Sequence, residues 1–409
     1  MERLTPLLGV VVLVAMAWAL SSDRRRFPWR IVIVGLALQL LIAGAFLSFP
    51  PLVVPVDALS RLVAGAIRQA DEGIRFVFGP ELIRPDGPWG FVFAVKVLPV
   101  IVFFAALMAV LYRIGIMPRI VGALAWLLHR TLGVSGEEAL VAASNVFVGQ
   151  TEAPLCIKPY LPTLTRAQVM VLMTTGFATI AGSVLAAYVG MLGGPSPESQ
   201  ALFAKHLLTA SLMSAPAALV MARVMVPEVA PVSAQPPRLH REALGANVLD
   251  AAALGASDGL RLALNVAAML IAFVSLIALV NWPLRSLGTS LEEVLGVLFW
   301  PFAWLMGAPE GQRVAVGGLL GQQVVATEFV AYVSLRDAMA SGQIDARTGQ
   351  IVTYALCGFC NLPSIAIQIG GLTALAPERR PDFVDLGPRA MVAGALACWS
   401  TACAAALFL

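Results

Sequence analysis

Apolar runs of the length that crosses a bilayer core as a helix, about 20 residues, recur along the chain. They fall at 4–20, 31–49, 91–112, 167–193, 200–224, 260–281, 346–374 and 386–408, separated by short polar or Pro/Gly-rich connections. The pattern predicts an all-α polytopic membrane protein with eight spanning helices. Two further stretches mix apolar and charged positions. Residues 55–79 carry Asp57, Arg61, Arg68, Asp71, Glu72 and Arg75, and 114–132 carry Arg119, Trp126, His129 and Arg130 at one edge. Both read as amphipathic helices lying in the membrane interface.

Residues 135–163 and 311–337 fit neither class. Their ends are apolar, but their centres hold Asn145, Gly149, Gln150, Thr151 and Glu152 in one case and Gly321, Gln322, Gln323, Thr327 and Glu328 in the other. A straight lipid-facing helix would strand these groups in hydrocarbon, where each unsatisfied polar group costs several kcal/mol. A hairpin that enters and leaves on one side places them in a protein-lined cavity instead. Each such segment precedes an apolar run interrupted at a Gly-Phe pair, Gly176-Phe177 and Gly358-Phe359. The same order in both halves predicts inverted repeats with re-entrant hairpins and a binding site near the bilayer midplane. A carboxylate in a spanning segment costs about 2.5–3.5 kcal/mol on insertion scales, so Glu152 and Glu328 mark a substrate or ion path.

Composition and charge narrow the class. Of 409 residues 59% are hydrophobic and 12% charged, against about 25% charged in soluble domains. The net charge of +3 is small and the basic residues sit in short loops, which predicts no nucleic-acid surface. Those loops are 21–30 with Arg24, Arg25, Arg26 and Arg30; 113–134 with Arg113, Arg119 and Arg130; 224–256 with Arg238 and Arg241; and 375–385 with Arg379 and Arg380. The connection 194–199 has no Lys or Arg. The bias puts the N-terminus outside and the basic loops in the cytoplasm. Charge follows the first apolar run rather than preceding it, so that run reads as a retained span and not a signal peptide.

Enzyme chemistry finds little support. The chain has no H-E-x-x-H or G-x-S-x-G, and His129, His206 and His240 share no ligand spacing. Cys357 and Cys360 form a C-x-x-C inside an apolar run without the βαβ context of a redox motif, so packing is the expected role. A transporter and a passive channel with two acidic constrictions both fit the residues to this point.

Longer motifs separate them. GQTEAPLCIKPYL (149–161), GFATIAGSVLAAY (176–188), EFVAY (328–332) and CGFCNLPSIAIQIGGLTALAPERR (357–380) resemble the concentrative nucleoside transporters, as do SSDRRRFPWR (21–30) and SDGLRLALNVAAMLIAF (257–273). The resemblance implies the bacterial form of that family: a homotrimer in the inner membrane that imports nucleosides by symport with sodium, by elevator-type movement of a transport domain against a scaffold. It implies Gln150, Thr151, Glu152 and Val184 near the base, Glu328, Asn361 and Ser364 at the ribose, and Phe359 beside the base. It implies sodium at Asn145, Val148, Thr179 and Ile180, and no further cofactor; a proton-coupled symporter is the alternative. On this reading 1–113 and 257–285 form the scaffold, and 114–256 and 286–409 form the two parts of the transport domain. Membrane lipid is the remaining partner. Gln323, Thr327 and Pro363 stand where the family often has Lys, Asn and Ser, which leaves substrate preference and ion stoichiometry open.

The residue chemistry suits such a guest. An ionised carboxylate only accepts hydrogen bonds, so Glu328 matches a pair of ribose hydroxyls, and charge-assisted bonds are about twice as strong as neutral ones. Sodium takes oxygen ligands, which the Asn145 and Thr179 side chains and carbonyls freed by unwound backbone supply.

Overall fold

The computed structural model describes residues 5–82, 92–230 and 245–409, and every regular element among them is helical. Arg238, Arg241 and His240 lie outside the described residues, as does the start of the first apolar run. Helices α1 (Thr5–Ala19), α2 (Trp29–Leu47) and α3 (Pro50–Phe78) are followed by a short α4 (Phe93–Lys96) that continues into α5 (Leu98–Arg113). Next come α6 (Ile116–Leu132), α7 (Gly136–Asn145), α8 (Arg166–Phe177), α9 (Gly182–Gly193) and α10 (Pro197–Met225). The second half holds α11 (Val248–Ser286), α12 (Leu291–Leu305), α13 (Arg313–Val325), α14 (Glu328–Ala340), α15 (Ala346–Ala355), α16 (Leu362–Leu375) and α17 (Arg380–Ala406).

Seven helical stretches among the described residues are long and apolar enough to cross a bilayer. Six coincide with expected spans: α2, α4–α5, α8–α9, α10, α11 and α17. The other two expected spans are α1, with 15 residues, and the apolar run 346–374, which is divided into α15 and α16. The seventh stretch is α3, whose buried positions Ser60, Ala64, Ile67, Ala70 and Ile74 form one stripe at helical spacing, as its amphipathic pattern predicts. Its 29 residues also suffice to span.

Both interrupted segments break where the sequence placed them. α8 stops at Phe177 and α9 restarts at Gly182, while α15 stops at Ala355 and α16 restarts at Leu362. The two hairpins differ. The second consists of two α-helices, α13 and α14. The first pairs α7 with a 3-10 stretch, Ala153–Thr163, rather than a second α-helix. Pro154, Pro159 and Pro162 lie within that stretch; each lacks an N–H and crowds the carbonyl four residues back, so the tighter i to i+3 turn replaces the α-turn.

Burial sorts the helices into an inner and an outer group. α8–α9, α10 and α17 are almost wholly buried, whereas α2, α3 and above all α11 leave most of their surface uncovered by the chain. α11 packs along α5 through Gly255 and Gly259. A Cβ on either glycine would come within 2.7–2.8 Å of α5 atoms, at Ala105 O and Ala109 Cβ for the first and Val102 Cα and Ala105 Cβ for the second. Apolar surface alone drives no association in lipid, so close backbone approach of this kind supplies the contact. α1 packs against α17 and α2 against α10. Gln39 of α2 is buried and donates to Thr401 Oγ1 of α17 at 2.8 Å. All five cysteines are free thiols. Cys360 sits 3.7 Å from Cys398, sulfur to sulfur, and donates to Phe177 O at 3.0 Å, a packing role in place of a redox one.

Candidate functional site

The second hairpin and the α15/α16 break converge on Glu328. Thr327 is the N-cap of α14, its hydroxyl accepting from Val330 N, and this fixes Glu328 at the first turn, where a negative charge meets the helix N-terminal dipole. The carboxylate is buried and each oxygen accepts from a side chain of another element. Tyr188 Oη donates to Oε1 at 2.9 Å, and Asn361 Nδ2 donates to Oε2 at 2.8 Å. Asn361 is itself the N-cap of α16, its Oδ1 accepting from Ser364 N at 2.8 Å. One side chain therefore starts the second half-helix and touches the acid. Ser364 is buried beside it and Phe359 is half-buried in the unwound segment.

Gln323 is fully buried and donates from Nε2 to Gly358 O at 3.1 Å. It satisfies a carbonyl that the end of α15 leaves without a helical partner.

The first hairpin meets the α8/α9 break in a different way. Phe147 O accepts from Gly182 N at 2.9 Å, and a Cβ at Gly149 would lie 3.3 Å from Ala181 Cβ, so the hairpin tip seats on the restart of the helix. Asn145, Val148, Thr179 and Ile180 are all buried at this seam. Asn145 Nδ2 donates to Thr175 Oγ1 at 3.0 Å, and Thr179 Oγ1 donates to Thr175 O at 2.8 Å. Asn145 Oδ1 and Ser144 Oγ are buried with no hydrogen-bond partner. Orphaned oxygens next to unwound backbone are the donor set a hard monovalent cation requires.

The remaining base-side residues divide. Gln150 and Val184 are buried, while Thr151 and Glu152 are open at the hairpin tip. Thr151 Cγ2 lies near Gly371 of α16. Glu152 is within electrostatic reach of Asp258 on α11, and shares no hydrogen-bond partner with Glu328 among the bonds described. The structure thus joins Glu328, Asn361 and Ser364 in one cluster, joins Asn145 and Thr179 in a second, and leaves Glu152 at the hairpin tip outside both.

Sequence reasoning passed over Tyr188. It lies one turn beyond Val184 on α9, within the motif GFATIAGSVLAAY, and stacks on Phe329 and Tyr332 with ring centroids 4.6 and 4.2 Å apart. A buried aromatic hydroxyl in an otherwise apolar run was the available signal, because such a group needs a hydrogen-bond partner.

At the far end of α7, α8 and α10 a buried ion cluster binds the elements that carry the seam. Arg223 Nε is 2.9 Å from Glu138 Oε1, Nη2 donates to Oε2 at 3.1 Å, and Nη1 is 3.3 Å from Glu228 Oε2. Glu138 closes a capping box with Ser135, Gln168 closes another with Thr165, and Thr165 Oγ1 donates to Glu228 at 2.6 Å. Gln168 Nε2 also donates to Ser135 Oγ at 3.0 Å. Two helix N-termini and one helix C-terminus are locked as a unit.

Known proteins match this chain along its length. Family profiles described as Na+ dependent nucleoside transporter N-terminus, nucleoside recognition ("Gate") and Na+ dependent nucleoside transporter C-terminus match residues 8–81, 94–195 and 206–406. An uncharacterized transporter of Haemophilus influenzae is 41% identical over 100% of this chain and 98% of its own. The nucleoside permease NupC of Helicobacter pylori is 36% identical over 100% and 98%. The solved structure of CNTnw in an inward-facing substrate-bound state is 40% identical, covers 100% of this chain and 98% of its own, and superposes with a TM-score of 0.91.

Proposed function

The chain belongs to the sodium-dependent, concentrative nucleoside transporter family, and from that premise we propose that it imports purine and pyrimidine nucleosides by one-guest symport with sodium. It is a multi-pass membrane transporter and not an enzyme. The observation that carries the substrate reading is Glu328, a buried carboxylate held by the side chains of Tyr188 and Asn361 with acceptor capacity to spare. Each carboxylate oxygen accepts more than one bond, so a ribose diol completes the set. Asn361 and Ser364 serve the same sugar, with Phe359 beside the base and Gln150, Thr151, Glu152 and Val184 toward its edge.

Sodium is assigned to Asn145, Val148, Thr179 and Ile180, supported by the orphaned Asn145 Oδ1 at the seam. An ion there ties the hairpin tip to the α8/α9 break and so orders the neighbouring base-side residues, a coupling carried by shared structure. The moving body comprises 114–256 and 286–409. The scaffold comprises 1–113 and 257–285, and its α1 and α2 meet the moving body at α17 and α10. The open face of α11 supports assembly as a homotrimer.

Uptake of radiolabelled uridine and adenosine into proteoliposomes tests the reading. Accumulation is expected with an inward sodium gradient, with competition by nucleosides and not by free bases. Undiminished uptake without sodium at fixed pH removes the sodium assignment, and dependence on a proton gradient puts protons in its place. Equal competition by free bases removes the ribose assignment.

A further inference from the structure

One buried carboxamide near this site has no role in the assignments above. Gln368 lies on α16, seven residues after Asn361 and four after Ser364, so the three share one face of the helix; all three are buried. The rise along α16 from Asn361 to Gln368 is about 10 Å, which carries this face from the ribose residues toward the tip of the first hairpin. Thr151 of that tip already meets Gly371 on the next turn of α16.

Gln368 and Gln150 converge over Gly176. A Cβ at Gly176 would collide with Gln368 Nε2 and would lie 2.9 Å from Gln150 Cβ. Glycine at 176 is what allows two side chains from different halves of the molecule to meet there. Gln368 Nε2 donates to Met173 O at 3.1 Å, which anchors the carboxamide and leaves its oxygen outside that bond. That oxygen is buried without a partner, and so is Gln150 Oε1. Two orphaned acceptors at the base end of the site carry a desolvation cost that a donor from the guest would remove.

The geometry points to Gln368 as a base-reading residue that pairs with Gln150 to accept N–H donors from the nucleobase edge. This rests on the nucleoside reading above. With one N–H anchored on Met173 O, Gln368 keeps its carboxamide in place and offers its unpartnered Oε1, so it selects bases that offer N–H and rejects those whose N–H is methylated. Both uracil N3–H and the amino groups of cytosine and adenine meet this condition, which accounts for selectivity that is broad across bases yet strict about the edge.

The test is a competition panel on the full-length protein in liposomes, comparing uridine with 3-methyluridine and adenosine with N6,N6-dimethyladenosine. Wild type is expected to favour the unmethylated member of each pair by at least about 10-fold. Gln368→Leu is expected to bring the ratios close to 1 while leaving the sodium half-saturation and the rejection of free bases unchanged. Equal affinity within both pairs in the wild-type protein overturns the inference without any variant, and so does a transport-competent Gln368→Leu that keeps the wild-type ratios. If Gln368→Leu does not fold, the wild-type ratios decide. Absence of uptake of every nucleoside overturns the inference together with the functional reading, whereas nucleoside uptake blind to edge methylation overturns only the inference.

Discussion

Tyr188 and Glu328 are 140 residues apart in sequence, and the Tyr188 hydroxyl donates to Glu328 Oε1 at 2.9 Å. α9 of the first half therefore holds the acid of the second half, and the two repeats meet at a hydrogen bond. The tyrosine holds one carboxylate oxygen while Asn361 Nδ2 holds the other.

Glu328→Gln is expected to weaken nucleoside binding far more than Tyr188→Phe. Hydrogen bonds to a charged group contribute about 1.5–3 kcal/mol, which corresponds to roughly a 10- to 150-fold loss. Removing the Tyr188 hydroxyl takes away one buried partner and leaves the charge for the ribose, with a loss of about 5-fold. Binding of labelled uridine to the purified protein distinguishes them; equal losses would mean that the tyrosine touches the guest itself.

Asn145→Ala is expected to raise the sodium concentration for half-maximal uptake by at least about 10-fold, the loss of one strong oxygen ligand, with the nucleoside KM at saturating sodium little changed. Thr179→Val, which removes a hydroxyl whose oxygen faces the same seam, moves it in the same direction. A changed nucleoside KM with unaltered sodium dependence would remove both residues from the ion site.

Glu138→Gln is expected to lower the thermal stability of the detergent-purified protein sharply. Breaking a buried pair costs about 3–5 kcal/mol, and here Glu228 alone is left to compensate Arg223, so the loss falls toward the lower end of that range. Replacing all three charged groups, Glu138→Met, Arg223→Met and Glu228→Gln, is expected to recover much of the lost Tm, because the penalty lies in the unpaired charge and not in the loss of the bond. Failure of the triple variant to recover would assign the cluster a role beyond charge compensation.

Asp345 provides a pH-dependent contribution at the α14–α15 junction. Partial burial pushes its carboxyl upward, but bonds from Thr348 N, Gln312 and the Thr348 hydroxyl, together with the Arg347 charge, outweigh this and hold it below the ordinary value. A group whose folded pKa is depressed stabilises fully above its unfolded pKa of about 3.9 and loses that contribution as pH falls through the folded value. The Tm difference between wild type and Asp345→Asn is therefore expected to be constant at neutral pH and to shrink as pH falls below about 4. A difference independent of pH would show that capping of Thr348 by either side chain accounts for the whole effect.

Hydropathy and breaker residues made the helices legible, because a spanning segment must satisfy its backbone internally and so announces itself over about 20 local residues. The hairpins were legible for the converse reason: Asn145, Gln150, Glu152, Gln322 and Glu328 are too polar for lipid-facing positions. The form of the first hairpin was less so. Its prolines point away from an α-helix, but the 3-10 geometry of Ala153–Thr163 also depends on what it packs against. The placement of α1 and α2 against α17 and α10 had no local signal at all, since lipid-facing and protein-facing apolar helices share one composition.

What the chain's residues determined by themselves is the list of segments, their order in two matching halves, the clustering of basic residues in connecting loops and the acids kept within apolar segments. Only the tertiary structure decided which donors meet Glu328, that Asn361 caps a helix and binds the acid at once, and that Gln368 and Gln150 converge over Gly176. Each of these relationships joins elements far apart in sequence, and directional hydrogen bonds across helix breaks depend on backbone positions that no local pattern encodes.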